Sequence, residues 1–169
     1  ESAAYVIAEH RGLNGELLSP HVAAVEVLNV IRPIVAVGVY ITFVAHALHH
    51  HPDCRSKLEA GDDGSYPEFF VQEVRRFYPF FPAVAALVRS DFDWMGYRFP
   101  SGRRVILDLY GTNHDARTWD SPEAFQPERF REWDGSPFNF VPQGGGDHNA
   151  NHRCAGEWIT IELMKQASD

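Results

Sequence analysis

Cysteine is nearly absent from this chain. Its two thiols, Cys54 and Cys154, are too few for the disulfide framework of a small secreted protein, and point to a reducing compartment. Basic residues are also in short supply: 15 Lys and Arg against 23 Asp and Glu give a formal charge of -8, and the cations are scattered. That balance argues against nucleic acid as a partner, because binding to a phosphate backbone is built from clustered Lys and Arg. The first ten residues lack the basic start and apolar stretch of a signal peptide. They also lack an initiator Met, which reads as a truncated chain. The uncharged run from Pro33 to Leu48 is short of the roughly 20 residues that a bilayer span needs, and extending it backwards takes in Arg32 and Glu26. No membrane span is therefore expected. Repeats, low-complexity tracts and linkers are missing as well.

What is present is a content of 44% hydrophobic and 13% aromatic residues, enough for one core and one domain. A loop over residues 9–20 leads into a long apolar helix from about His21 to His51. Apolar residues all round that helix predict that it runs buried through the middle of a larger protein. The cationic His49-His50-His51 turn and Pro52 end it, and three consecutive side chains on a helix diverge too far to share a metal ion. A polar loop with Gly61 and Gly64 follows, then a second helix from about Pro67 to Tyr78 with Phe70, Val74 and Phe77 at helical spacing. Strands are expected over 84–88, 94–99 and 105–109, forming one small sheet. From Gly111 to Asn139 the chain reads as an ordered meander of turns.

Four places carry chemistry. Glu73 and Arg76 lie three apart on the second helix, a spacing that allows an ion pair, exposed or structural. The segment Phe125-Gln-Pro-Glu-Arg129-Phe130 lies in the meander. Near the end, Phe140-Val-Pro-Gln-Gly144-Gly-Gly146-Asp-His-Asn-Ala-Asn-His152-Arg153-Cys154-Ala-Gly156 delivers a cysteine to the start of a helix expected over 155–165. The helix N-terminus and Arg153 favour an ionised sulfur there, so Cys154 reads as a nucleophile, a metal ligand or an inert buried thiol. Cys54, in a polar stretch after a helix end, reads as structural. Finally, Arg32-Pro33 interrupts the long helix. Pro33 removes one helical hydrogen bond near Asn29, and Arg32 has no carboxylate at helical spacing. A buried guanidinium needs an anion from elsewhere.

Glu73-x-x-Arg76, Pro127-Glu-Arg129-Phe130 and His152-x-Cys154-x-Gly156, in that order after a long apolar helix, resemble the cytochrome P-450 family over His21 to Lys165. The resemblance implies a mainly α fold with a small β-sheet, residues 1–169 being the C-terminal part of one such domain. It implies haem b with Cys154 as the axial ligand of the iron, His152 at a haem propionate, and Glu73, Arg76 and Arg129 as structural supports. The family's usual loop has Phe seven and Gly four residues before the cysteine. Here those places hold Asp147 and Ala150, so the loop is longer. The monooxygenases of the family carry an acid and an alcohol in the long helix, where this chain has Arg32-Pro33; Glu26 and Thr42 lie roughly two turns or more away on either side.

Arg-Pro with a long glycine loop is similar to the bacterial, cytoplasmic fatty-acid peroxygenase branch. There the carboxylate of the substrate, held by the Arg, supplies the acid/base group that the enzyme lacks. The resemblance thus implies a fatty acid and hydrogen peroxide as partners, with no redox partner, hydroxylation near the carboxylate, and Arg32 and Pro33 as catalytic residues. A haem propionate or an acid from another segment is the competing partner for Arg32. The segment 80–85 is either a wall for the alkyl chain or plain core. The rival readings are a reductase-dependent monooxygenase and a non-catalytic fragment unable to hold haem.

Overall fold

In the computed structural model, residues 2–61 and 64–169 are described. A short helix α1 (Ala3–Glu9) precedes the long helix α2 (Pro20–His50). Ser19 caps α2 by accepting from the amide of Val22 at 3.3 Å, with Pro20 in the first turn where its missing N–H costs nothing. Pro33 does not divide the helix; α2 is continuous through it. At the far end the amide of His51 donates to Ala47 at 2.8 Å, and Pro52 at once starts α3 (Pro52–Ala60), which Gly61 closes in the left-handed conformation. The polar stretch expected as a loop is therefore largely helical. It buries Cys54 on its inner face, where burial pushes the thiol's pKa up.

Helix α4 (Tyr66–Phe77) carries the second helix of the sequence pattern, one residue earlier than expected. Two antiparallel two-stranded sheets replace the single sheet: β1 (Ala83–Leu87) pairs with β4 (Arg104–Asp108), and β2 (Phe92–Trp94) pairs with β3 (Tyr97–Phe99). The run expected as one strand over 94–99 thus holds the turn and the second strand of a hairpin. Met95 and Gly96 both take positive φ, 48° and 79°, which makes a two-residue turn of the kind that matches strand twist. Helix α5 (Leu109–Asn113) begins where a strand was expected to end, because the Asp108 side chain accepts from the amide of Gly111 at 2.7 Å. A 3-10 turn covers Pro127–Arg131, and α6 (Glu157–Ser168) closes the chain.

The core sits where α2, α4 and α6 meet. Tyr40, Val44 and Ala47, one face of α2, pack with Phe70, Val71 and Val74 of α4 and with Ile161 and Met164 of α6. A second cluster of Trp119, Phe130 and Phe140 lies under the meander. Only the C-terminal half of α2 is buried, however. Ile34 and Val35 are each 68% exposed, and Leu28, Val30 and Ile31 are exposed too, so these 169 residues by themselves cover only part of the helix expected to run buried through a larger protein. Among the described helices α2 is long and apolar enough to cross a bilayer, yet its C-terminal half is spent on α4 and α6.

Candidate functional site

Glu73 is fully buried and collects four donors. Arg76 reaches it with Nε at 2.7 Å and an Nη at 2.9 Å, the amide of Gln126 at 2.7 Å, and Nε of Arg129 at 3.3 Å. Arg76 also donates to the carbonyls of Asn113 and Pro122, and Arg129 to those of Asp120 and Ala124. The exposed-pair reading is therefore excluded; three charges are held in a dry knot that fastens α4 to the meander. Asn113 extends the knot, since its side-chain oxygen accepts from the amide of Val141 at 2.9 Å, at the start of the cysteine loop.

That loop is built as a clasp. Gly144 pairs with Arg153, and the amide of Cys154 donates to the carbonyl of Gln143 at 2.9 Å. Gly144 has φ 95°, and a Cβ there would lie 2.1 Å from the carbonyl oxygen of His152, so two strands of backbone meet where only glycine fits. The extra residues form an ordered bulge. The Asp147 carboxylate accepts from the amides of Asn149 and Ala150, and the side chain of Asn151 accepts from the amide of Asp147. Helix α6 starts two residues later than expected, leaving Cys154 just before its N-cap Gly156, with the Cys154 carbonyl accepting from the amide of Glu157 at 3.3 Å.

Cys154 is exposed and free, and faces a cavity of about 1170 Å³. Pro33, Val37 and Tyr40 of α2 line one side of the cavity, Gly144, His152 and Cys154 another, and Phe80, Phe81 and Val84 also border it. The segment expected as a wall is thus at the cavity. Tyr40 ties the two sides together by donating to the carbonyl of Pro142 at 3.3 Å; burial pushes its pKa well above the ordinary phenol value, so it stays a donor. No carboxylate of the described residues lines the space.

Arg32 is placed differently from the expectation. It is exposed, makes no ion pair among the described residues, and is not among the residues lining the cavity, although its neighbour Pro33 is. The α2 face that carries it is bare in this chain, so the desolvation that would demand an anion is not imposed by these residues alone. His49 and His50 form the last turn of α2 while His51 stacks on Phe125, and no group of three or more metal-binding side chains occurs among the described residues. Two partners escaped the sequence reading. Arg75 and Glu157 are buried against each other across 82 residues, and no local pattern signals a pair so far apart.

The chemistry of the cavity suits haem. Both backbone groups of Cys154 are engaged, which leaves its thiol free to serve a ligand in the open space. Gly156 lies beside the sulfur, where a Cβ would make ordinary van der Waals contact with Sγ at 3.9 Å. The remaining lining is mostly aliphatic and aromatic, as a macrocycle requires.

A family model described as cytochrome P-450 matches residues 63–167. Among curated proteins, cytochrome P-450 3A11 of Mus musculus is 30% identical over 146 residues, covering 75% of this chain and 28% of its own length. Among solved structures, cytochrome P-450SP alpha (CYP152B1) in complex with (R)-ibuprofen is 61% identical with a TM-score of 0.85, covering 99% of this chain and 40% of that one. Cytochrome P-450EX alpha (CYP152N1) with myristic acid is 54% identical with a TM-score of 0.83, over 97% of this chain and 40% of that one. A variant of cytochrome P-450 OleT in complex with arachidonic acid is 41% identical at the same TM-score, over 97% and 38%. The chain therefore spans less than half the length of these relatives. With the buried Glu73–Arg76–Arg129 knot, the glycine clasp around Cys154 and a match over most of its length, this chain belongs to the cytochrome P-450 family of haem b oxidoreductases.

Proposed function

We propose that residues 1–169 are part of a haem-thiolate peroxygenase domain that hydroxylates long-chain fatty acids near the carboxylate with hydrogen peroxide. The observation that carries this reading is the lining of the cavity opposite Cys154. The helix there offers Pro33, Ala36 and Val37, without a carboxylate or an acid-alcohol pair to move protons to peroxide. In this reading the acid/base group comes from the substrate. Arg32, one residue from the cavity on α2, is the cation that would hold a carboxylate, and its planar fork suits a bidentate grip. The fatty acids bound to two of the relatives, and the (R)-ibuprofen bound to a third, are apolar molecules with one carboxylate, which supports the same class of ligand here.

In this reading Cys154 Sγ would hold the haem iron and His152 would hold a propionate. The haem, when bound, supplies the iron that activates peroxide. Phe80, Phe81 and Val84 hold the alkyl chain and exclude water, and Arg32 fixes the carboxylate so that it can take and return a proton. Glu73, Arg76 and Arg129 keep the platform rigid. No redox partner is needed, and the cytoplasm is the compartment.

The test is turnover of myristic acid with hydrogen peroxide and no reductase in the intact haem-loaded protein. Arg32→Ala should lower kcat/KM about 100-fold, the loss of a charge-assisted bidentate pair of roughly 3 kcal/mol. Turnover that needs a reductase and electrons would overturn the reading in favour of a reductase-dependent monooxygenase, and peroxide-driven turnover that survives Arg32→Ala unchanged would overturn the anchoring role of Arg32.

A further inference from the structure

The two adjacent arginines of α4 face opposite ways. Arg76 belongs to the Glu73 knot under the meander, whereas Arg75, 1% exposed, turns to the cysteine loop. Its guanidinium divides into three directions. Nε donates to the side-chain oxygen of Gln143 at 3.1 Å, one Nη donates to Gln72, and the other forms an ion pair with Glu157. The guanidinium also lies over the ring of Phe140 at 5.2 Å, at the head of the loop. Glu157, 4% exposed, is the second hub: besides Arg75 it accepts from Nε of Arg153 at 2.6 Å and pairs with Nε2 of His148 at 3.0 Å. Burial by itself would raise the pKa of Glu157. The hydrogen bond from Arg153 and the charge of Arg75 outweigh that and hold it below the usual carboxylate value.

Gln143 and Glu157 are also the two residues whose backbones hold Cys154. Gln143 takes the Cys154 amide, and the amide of Glu157 takes the Cys154 carbonyl. One buried side chain therefore grips, through their side chains, both backbone neighbours of the sulfur. We propose that Arg75 is a positioning residue for Cys154: it sets the spacing between the Gln143 strand and the start of α6, and so the aim of Sγ into the cavity. This inference rests on Cys154 as the haem ligand. Lysine cannot replace it, because a point charge cannot reach Gln143 and Glu157 together as a rigid fork does.

The test compares Arg75→Lys, Arg75→Gln and Glu157→Gln with Val74→Ala, a core truncation in the same helix that touches neither partner. Two readouts apply to the intact protein. The first is peptide-level hydrogen exchange across residues 141–157, and the second is the thiolate signature in the reduced, carbon monoxide-treated spectrum. Both Arg75 variants and Glu157→Gln should exchange about tenfold faster at the Cys154 and Glu157 amides and lose part of the thiolate signature, while Val74→Ala lowers the melting temperature without either change. Wild-type protection and a full signature in Arg75→Lys and Arg75→Gln would overturn the assignment. Equal losses in Val74→Ala at a matched melting temperature would do the same. A wild-type protein without the thiolate signature would instead refute the ligand assignment, and the exchange rates would still decide whether Arg75 holds the Cys154 backbone.

Discussion

A single buried imidazole shows how this chain uses a side chain that lies outside the cavity. His114, at the C-terminal cap of α5, offers Nδ1 to the carbonyl of Tyr110 at 3.0 Å, stacks on the Tyr110 ring at 4.0 Å and leaves Nε2 buried without a partner. Burial lowers its pKa below the ordinary 6.5, against the hydrogen bond to Tyr110, and the charge of Arg76 lowers it further. Glu73 and Glu123 pull weakly the other way. The unfolded chain therefore binds a proton before the folded one does, so stability is complete above about pH 7 and declines as pH falls through 6.5 towards the folded value. His114→Phe should flatten that slope in thermal melts between pH 7 and pH 5, whatever it does to the melting temperature at neutral pH. Arg32 is the contrasting residue. Its chemical singularity in an apolar helix was legible from the letters alone, but its exposure was not, since burial depends on what packs over a face.

Helix α4 is the element that carries the most tertiary information. Twelve residues with apolar spacing and a proline in the first turn specify a helix, and its ion pair was readable at three-residue spacing. The partners were not: Arg129 reaches Glu73 across 56 residues and Glu157 reaches Arg75 across 82. The charges are dry, so removing the anion leaves two cations buried and unpaired. Glu73→Gln should cost about 3–5 kcal/mol, read as a loss of cooperative unfolding or a large fall in the denaturant midpoint, while Arg55→Ala, which breaks an exposed pair with Glu59, should change it little. Pro33 marks the opposite limit for α2. A single missing hydrogen bond does not divide a 31-residue helix, because the remaining bonds of the ladder keep both halves in line.

At the scale of the molecule, apolar surface is the outstanding feature. Leu28, Ile34 and Val35 on α2, Val84 and Leu87 on β1, Ile106 and Leu107 on β4, and Trp158 and Ile159 on α6 are all exposed. Isolated soluble domains seldom leave large apolar surface uncovered. The 169-residue chain by itself should bind a hydrophobic dye and scatter light at micromolar concentration, and Leu28→Lys with Val35→Lys should reduce both signals without lowering the helix content. The sequence by itself determined the local and the chemical: the long helix, the helix of Glu73 and Arg76, the glycine loop that ends at Cys154, and the absence of an acid-alcohol pair beside Pro33. These follow from periodicity, turn residues and residue identity, which act over a few positions. Only the tertiary structure decided that α3 and α5 are helices, that one strand is a hairpin, that half of α2 is bare, and that Arg75 reaches both neighbours of Cys154. Burial and pairing depend on contacts between residues far apart in the chain, and no local pattern encodes which distant surface a side chain will meet.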